Sequence, residues 1–200
     1  MKKNESSFCA MMSRMKYIDR WALMRNSVTE NICEHSLEVA MIAHMLCVIG
    51  NKRFGKHLNA EHAALVGMYH DTTEIITGDM PTPIKYLNED IQRIFHGIED
   101  SAARRLISML PEDLREEFLP IYFMGEGEEE SYLWRLVKAA DKFSALIKCI
   151  EEQKTGNREF DSARIAIEKA ISLMELPEAE CFLREFLPAY EKNLDELQNG

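Results

Sequence analysis

Between Leu37 and Ile49 the chain runs through Val39, Ala40, Met41, Ile42, Ala43, Met45, Leu46 and Val48, with few polar side chains among them. A helix that is apolar nearly all round has no face to offer water, so this stretch predicts a central helix buried in the middle of a domain. Its start is marked by Asn31-Ile32-Cys33-Glu34, which has the form of a capping box: a side-chain acceptor, then a Glu three residues on. Gly50-Asn51 predicts its end, and His35 falls in its first turns.

The rest of the chain must supply the wrapping. Apolar residues recur at helical spacing almost throughout, glycines and prolines are few and β-branched alternation is scarce, which predicts an all-α fold. Phe8, Met11, Met12, Met15 and Ile18 mark a short amphipathic helix, and Asp19 to Asn26 reads as a connection. A second apolar helix starts near Asn59 and carries Ala63, Ala64, Leu65, Val66 and Met68 up to a His70-Asp71 doublet. Gly78, Pro81 and Pro83 break the chain beyond it. Ile91, Ile94, Phe95, Ile98, Ala102, Leu106 and Met109 line another helix after Asn88, and Leu110-Pro111 starts a short one. Past an acidic loop at 125–130, Ser131 is placed to cap a helix whose inward stripe is Leu133, Leu136, Val137, Ala140, Ser144 and Ile147. Asp161-Ser162 opens a further helix through Met174, and the last runs from Glu178 to Leu197 with a bend at Pro188.

Two hundred residues with 46% hydrophobic content suffice for one domain spanning 1–200. The formal charge of −10 excludes a protein that holds long nucleic acid by neutralising phosphates or sits on an anionic membrane, while a small phosphorylated ligand stays open. Cys9, Cys33, Cys47, Cys149 and Cys181 are odd in number and include no C-x-x-C pair, so neither a disulfide framework nor a structural zinc knuckle is expected, and a reducing compartment fits. Asn4-Glu5-Ser6-Ser7 is polar where a signal peptide would be apolar, and no stretch reaches ~20 uninterrupted apolar residues. The expectation is a cytoplasmic protein.

Chemistry concentrates at the doublet. Helical positions three or four apart share a face, so His70, Asp71 and Glu74 can converge on one point. A lone His-Asp pair is more often a surface or capping pair, so its weight rests on distant partners. Asp141 is one, because it falls inside an apolar stripe, where a carboxylate needs a cation, a hydrogen-bond network or a changed protonation state. A Lys or Arg partner would satisfy it equally well. His35 is the other, with a satisfied core or capping histidine as the plain alternative. The order His35, His70-Asp71, Asp141 brings two imidazoles and two carboxylates from three helices. Such donors suit Mn²⁺, Co²⁺, Fe²⁺, Zn²⁺ or Mg²⁺, and the missing thiolates argue against structural zinc. Four protein ligands around an octahedral ion leave two positions for water and substrate.

With this order of histidines and aspartates the sequence resembles the HD-domain metal-dependent phosphohydrolases. Arg20-Trp21, the segment from Thr29-Glu30-Asn31 to Glu34-His35-Ser36, His70-Asp71-x-x-Glu74, Thr77-Gly78-Asp79-Met80-Pro81-Thr82-Pro83 and Lys138-Ala139-Ala140-Asp141 look like the bacterial 5'-deoxynucleotidase branch, the YfbR-like proteins. The resemblance implies an HD-domain helical bundle, a homodimer, and hydrolysis of deoxyribonucleoside 5'-monophosphates to deoxynucleosides and phosphate by a metal-activated water. It implies one divalent ion held by His35, His70, Asp71 and Asp141. Glu74 would act as general base or water-orienting residue, which its place beside the doublet suits. Arg20 would orient the 5'-phosphate with its planar fork. Trp21, Asp79, Met80, Pro81 and Thr82 would border the nucleoside, with His35 and Asp71 also near the substrate. A stiff loop with two prolines would exclude the ribose 2'-hydroxyl.

Two other readings remain. Another HD hydrolase would act on a cyclic nucleotide, a nucleoside triphosphate or a (p)ppGpp-like ligand, although the chain lacks an obvious basic cluster for several phosphates. A non-catalytic helical regulator would keep the fold and bind a nucleotide, although its ligand set would be expected to degenerate.

Overall fold

The computed structural model describes residues 5–85 and 87–199, and among them the chain is helical, with no β-strand. A short α1 (Phe8–Met12) and a 3₁₀ turn precede α2 (Ile32–Arg53) and α3 (Ala60–Tyr69). Two single-turn helices follow, α4 (Glu74–Thr77) and α5 (Thr82–Lys85), then α6 (Glu89–Ser108) and α7 (Arg115–Tyr122). The long α8 (Glu128–Lys154), α9 (Asp161–Ser172), α10 (Pro177–Glu185) and a short α11 (Leu194–Gln198) complete the order. The all-α expectation holds.

The chain divides into two compact units. The first comprises residues up to Arg25, Thr29–Ser36 and Tyr69–Met124; the second comprises Asn26–Val28, Leu37–Met68 and the chain from Gly125 on. The first unit packs Phe8, Leu106 and Leu110 with Met11, Met12, Tyr69, Phe118 and Tyr122, so the N-terminal Met stripe is core packing, as its spacing predicts. The second unit is built around α8, whose Leu133, Leu136, Val137, Ala140, Ser144 and Ile147 are buried, and Val39, Ala43 and Leu46 of α2 belong to the same core.

The predicted capping box at the start of α2 is present. Asn31 Oδ1 accepts from the amides of Cys33 and Glu34 at 3.0 and 3.1 Å, and Glu34 Oε2 accepts from the Asn31 amide at 3.2 Å. Asn59 and Asn88 likewise cap α3 and α6.

Several expectations are corrected. The central helix is not buried all round: Leu37, Met41 and Met45, spaced four apart, are 54%, 59% and 36% exposed. By length and composition α2 would also cross a membrane, but 56% of its most apolar window is buried within the protein, as in a core helix. Gly50-Asn51 does not end it. Gly50 serves a close approach instead, since a Cβ there would meet Glu178 Oε1 at 2.8 Å, and the Asn51 side chain exchanges two 2.8 Å hydrogen bonds with the backbone of Leu58. On α6 the buried set is Phe95, Ala102, Ala103, Leu106 and Ile107, while Ile94 and Ile98 face solvent. Ser131 is no cap: α8 starts at Glu128, because three carboxylates in its first turn are favoured by the helix dipole. The C-terminal helix is broken around Pro188 rather than bent, into α10, a 3₁₀ turn and α11.

Candidate metal centre

α3 stops at Tyr69, and His70 to Thr73 form a turn before α4. The doublet therefore sits beyond the helix, where the sequence places it within one. Thr72 secures the turn: its buried hydroxyl donates to the Tyr69 carbonyl at 2.7 Å and meets the Tyr122 hydroxyl at 3.0 Å. Burial pushes the Tyr122 phenol up to about 12. A Thr one residue after a His-Asp pair carries no signal of its own in the sequence.

His35, in the first turns of α2, is fully buried. Its Nε2 lies 3.4 Å from Asp71 Oδ2, and His70 Nε2 lies 3.1 Å from the same oxygen. The imidazole centroids are 5.2 Å apart, tilted by 57°. One ligand atom from each of His35, His70 and Asp71 lies within 4.8 Å of the others, so two nitrogens and an oxygen converge as a divalent cation requires. The donor set fits a catalytic ion better than a structural one. Burial opposes ionisation of Asp71, but His70 and then His35 hold its carboxyl well below the ordinary range.

Glu74 opens α4, one turn after Asp71, and its Oε2 is buried without a hydrogen-bond partner among the described residues. Burial first, then the Asp71 and Asp79 carboxylates, push it up to about 10, against the pull of Arg20 and Lys85. A divalent cation on Asp71 works in the opposite direction and favours its ionised form.

Arg20 and Trp21 reach the same place from the loop before α2. The Arg20 amide donates to the Glu30 carbonyl at 2.9 Å and the Ile32 amide to the Ile18 carbonyl at 3.0 Å, a short antiparallel bridge that clamps the loop. Arg20 Nη1 sits 3.3 Å from Asp71 Oδ2, and its guanidinium carbon 6.0 Å from the Trp21 ring centroid. Trp21 adopts φ +59°, a left-handed conformation that costs a bulky residue roughly 1–2 kcal/mol and persists only where its surroundings impose it. They do: its amide donates to Asp79 Oδ2 at 3.3 Å and its indole Nε1 to Glu30 Oε2 at 2.9 Å. Burial raises the Asp79 carboxyl, with Arg20 opposing.

Arg20, Trp21, His35, His70, Asp71, Glu74 and Asp79 thus all lie in the first unit. Met80 and Pro81 are half-buried beside Asp79; Thr82 opens α5, and its side chain lies outside the described residues. Asp141 is half-buried on α8, in the second unit. Two carboxylate contacts were not foreseen. Glu30, which spacing marks only as the residue before a cap, pairs with Arg20 at 3.3 Å, and Lys85 ion-pairs with Glu99 at 2.7 Å.

The helices and this His-Asp cluster define a class. An HD-domain phosphohydrolase of Listeria innocua superposes with a TM-score of 0.75 over 96% of this chain and 95% of that one at 21% identity, so the fold is the HD-domain fold. The cyanophage S-2L HD phosphohydrolase DatZ, solved with dA and one catalytic Zn²⁺, gives a TM-score of 0.63 at 18% identity, over 96% of this chain and 100% of that one.

Within that class the sequence is more specific. A family model described as 5'-deoxynucleotidase YfbR-like matches residues 7–190. The chain is 47% identical to a 5'-deoxynucleotidase of Vibrio atlanticus over 96% of its length and 98% of the relative's. It is 46% identical to the 5'-deoxynucleotidase YfbR of Salmonella arizonae over 96% of both. The chain belongs to the YfbR-like 5'-deoxynucleotidase family.

Proposed function

We propose that the protein is a divalent-metal-dependent 5'-deoxynucleotidase that hydrolyses deoxyribonucleoside 5'-monophosphates to deoxynucleosides and inorganic phosphate. The observation that carries this reading is the convergence of His35, His70 and Arg20 on one oxygen, Asp71 Oδ2, in a chain close in sequence to proteins of that name.

His35, His70 and Asp71 would hold the ion, with Asp141 as fourth ligand. Two imidazoles suit Mn²⁺, Co²⁺, Fe²⁺ or Zn²⁺ better than Mg²⁺. When bound, the ion polarises a phosphoryl oxygen and lowers the pKa of water. Arg20 orients the phosphate. Glu74 takes the proton of the attacking water, whose oxygen bonds to phosphorus in line as the bond to the 5' oxygen breaks. The 5' oxygen takes up a proton, balancing the one that Glu74 accepted, and the deoxynucleoside leaves. Trp21, Asp79, Met80, Pro81 and Thr82 border the nucleoside, with His35 and Asp71 at the phosphate end. The bond from the Trp21 amide to Asp79 ties this loop to the Trp21 backbone, and the two prolines stiffen it against a 2'-hydroxyl. The protein acts as a homodimer of single HD domains in the cytoplasm.

Phosphate release from a panel of deoxy- and ribonucleoside 5'- and 3'-monophosphates tests the reading, with chelator and with single ions restored. Release from 5'-deoxynucleotides that chelator abolishes is expected, and light scattering at twice the chain mass. Equal turnover of 3'-monophosphates, or turnover indifferent to chelator, would sink it.

A further inference from the structure

Glu30 sits just before the cap of α2, its side chain only 14% exposed, and no step above uses it. Its two oxygens face three residues of the site. Oε2 accepts from the Trp21 indole at 2.9 Å and lies 3.3 Å from Arg20 Nε; Oε1 lies 3.9 Å from His35 Nδ1. Its backbone carbonyl accepts from the Arg20 amide at 2.9 Å, so backbone and side chain both grip the Arg20-Trp21 segment.

Each contact has a consequence. A metal-binding imidazole presents one nitrogen to the ion only if the other keeps its proton, and the charge of a carboxylate 3.9 Å from that other nitrogen, too far for a hydrogen bond, favours this tautomer. Glu30 faces Nδ1 while Nε2 faces Asp71, the arrangement a ligand histidine needs. The Nε edge of Arg20 is in ion-pair range of Glu30 Oε2 while Nη1 points to Asp71, so the two carboxylates engage different edges of the guanidinium. A Trp in a left-handed conformation needs an external restraint, and the indole hydrogen bond to Glu30 supplies one.

We propose that Glu30 is the positioning residue of the site: one carboxylate fixes the Trp21 indole by a hydrogen bond, pairs with the Arg20 guanidinium and by its charge favours the His35 tautomer that leaves Nε2 for the metal. It touches neither metal nor substrate. The catalytic part of this inference rests on the proposed deoxynucleotidase reading; the metal and indole parts do not.

Glu30→Gln keeps the size of the side chain and removes its charge, Glu30→Ala removes every contact, and Glu30→Asp restores the charge one methylene short. Titration calorimetry with Mn²⁺ and Zn²⁺ is expected to show a loss of affinity in Glu30→Gln and a further loss in Glu30→Ala, because the charge that favours the ligating tautomer is gone. In a Trp134→Phe background Trp21 is the sole indole, and its emission is expected to shift red and become more open to iodide in Glu30→Ala. With dAMP, the KM rise of Glu30→Gln is expected to be largely absent when Arg20→Ala is already present, because the two act through one contact. Should the parent protein not turn over dAMP, the function fails while the metal and fluorescence arms still judge Glu30. Parent-like metal affinity and indole emission in folded Glu30→Gln and Glu30→Ala, or activity lost only in proportion to folded protein, would overturn the proposal.

Discussion

Arg20 Nη1 lies 3.3 Å from Asp71 Oδ2, so the guanidinium assigned to phosphate rests against the carboxylate assigned to the metal. The two charges satisfy each other until both are given other partners. On the proposed assignments, metal on Asp71 would release the fork for phosphate, and phosphate on the fork would remove a cation from beside the metal. Ion and substrate would then support each other's binding.

Arg20→Ala is expected to raise KM for dAMP and to lower kcat/KM by about two to three orders of magnitude, as for loss of a charge-assisted phosphate contact. Arg20→Lys should recover only part, because an ammonium lacks the planar fork. Calorimetric affinity for Mn²⁺ should not weaken in Arg20→Ala, since a neighbouring positive charge has been removed. Weaker metal binding would show that Arg20 holds Asp71 in place rather than serving phosphate.

Metal should also be visible as stability. An ion that binds only the folded chain stabilises it by about 2.7 kcal/mol at a hundredfold excess over Kd. The melting temperature of the parent is thus expected to rise on adding Mn²⁺ or Zn²⁺ and to fall with chelator, and Asp71→Ala should lose that response. A parent-sized thermal shift in Asp71→Ala would remove Asp71 from the ligand set.

Some of this was legible in the residues and some was not, for identifiable reasons. The capping box at Asn31, the caps at Asn59 and Asn88 and the buried stripe of α8 depend on neighbours within a few residues, so spacing alone reveals them. Hydrophobicity names apolar residues but not which way a helix turns them, which is why Leu37, Met41 and Met45 are exposed on a helix that reads as buried all round. His70 and Asp71 stood out as residue types, yet their convergence with His35 comes from a turn after Tyr69, not from shared helical spacing. Glu30 gave least warning. An acidic residue before a capped helix is common, and its importance comes from Arg20 and Trp21 crossing back over it.

Gly67 packs α3 against α2 within the second unit. A Cβ at this position would lie 3.0 Å from the Ala40 Cα and 3.1 Å from its nitrogen, and the backbone of a buried helix has little room to give. Helix propensity favours Ala over Gly by about 1 kcal/mol, but overpacking against backbone costs about 1–3 kcal/mol, so the clash should win or break even. Gly67→Ala is therefore expected to lower the denaturation midpoint in urea, and Gly67→Val to lower it further. A clear gain in stability for Gly67→Ala would mean that the crossing is looser than these distances.

Glu152 makes the second unit sensitive to acid at the 26–28 segment. Its buried carboxylate ion-pairs with Lys148 and accepts from the Ser27 amide at 2.8 Å and from Asn157 Nδ2 at 2.7 Å, tying the 26–28 segment to α8. Burial works against the charge, but Lys148, Asn157 and Ser27 hold the carboxyl down at about 2, against 4.5 for an ordinary Glu. A folded-state value below the unfolded one means that the stabilisation is full above pH 4.5 and is lost as pH falls from there toward 2. A shift of this size corresponds to about 3 kcal/mol, an upper figure because Lys148 shares it. Glu152→Gln should thus be less stable than the parent at pH 6, and the gap between their urea midpoints should shrink as the pH is lowered toward 3. Comparing the two proteins at each pH cancels the carboxylates they share, so a gap that stays constant from pH 6 to 3 would show that the Glu152 charge contributes nothing to folding.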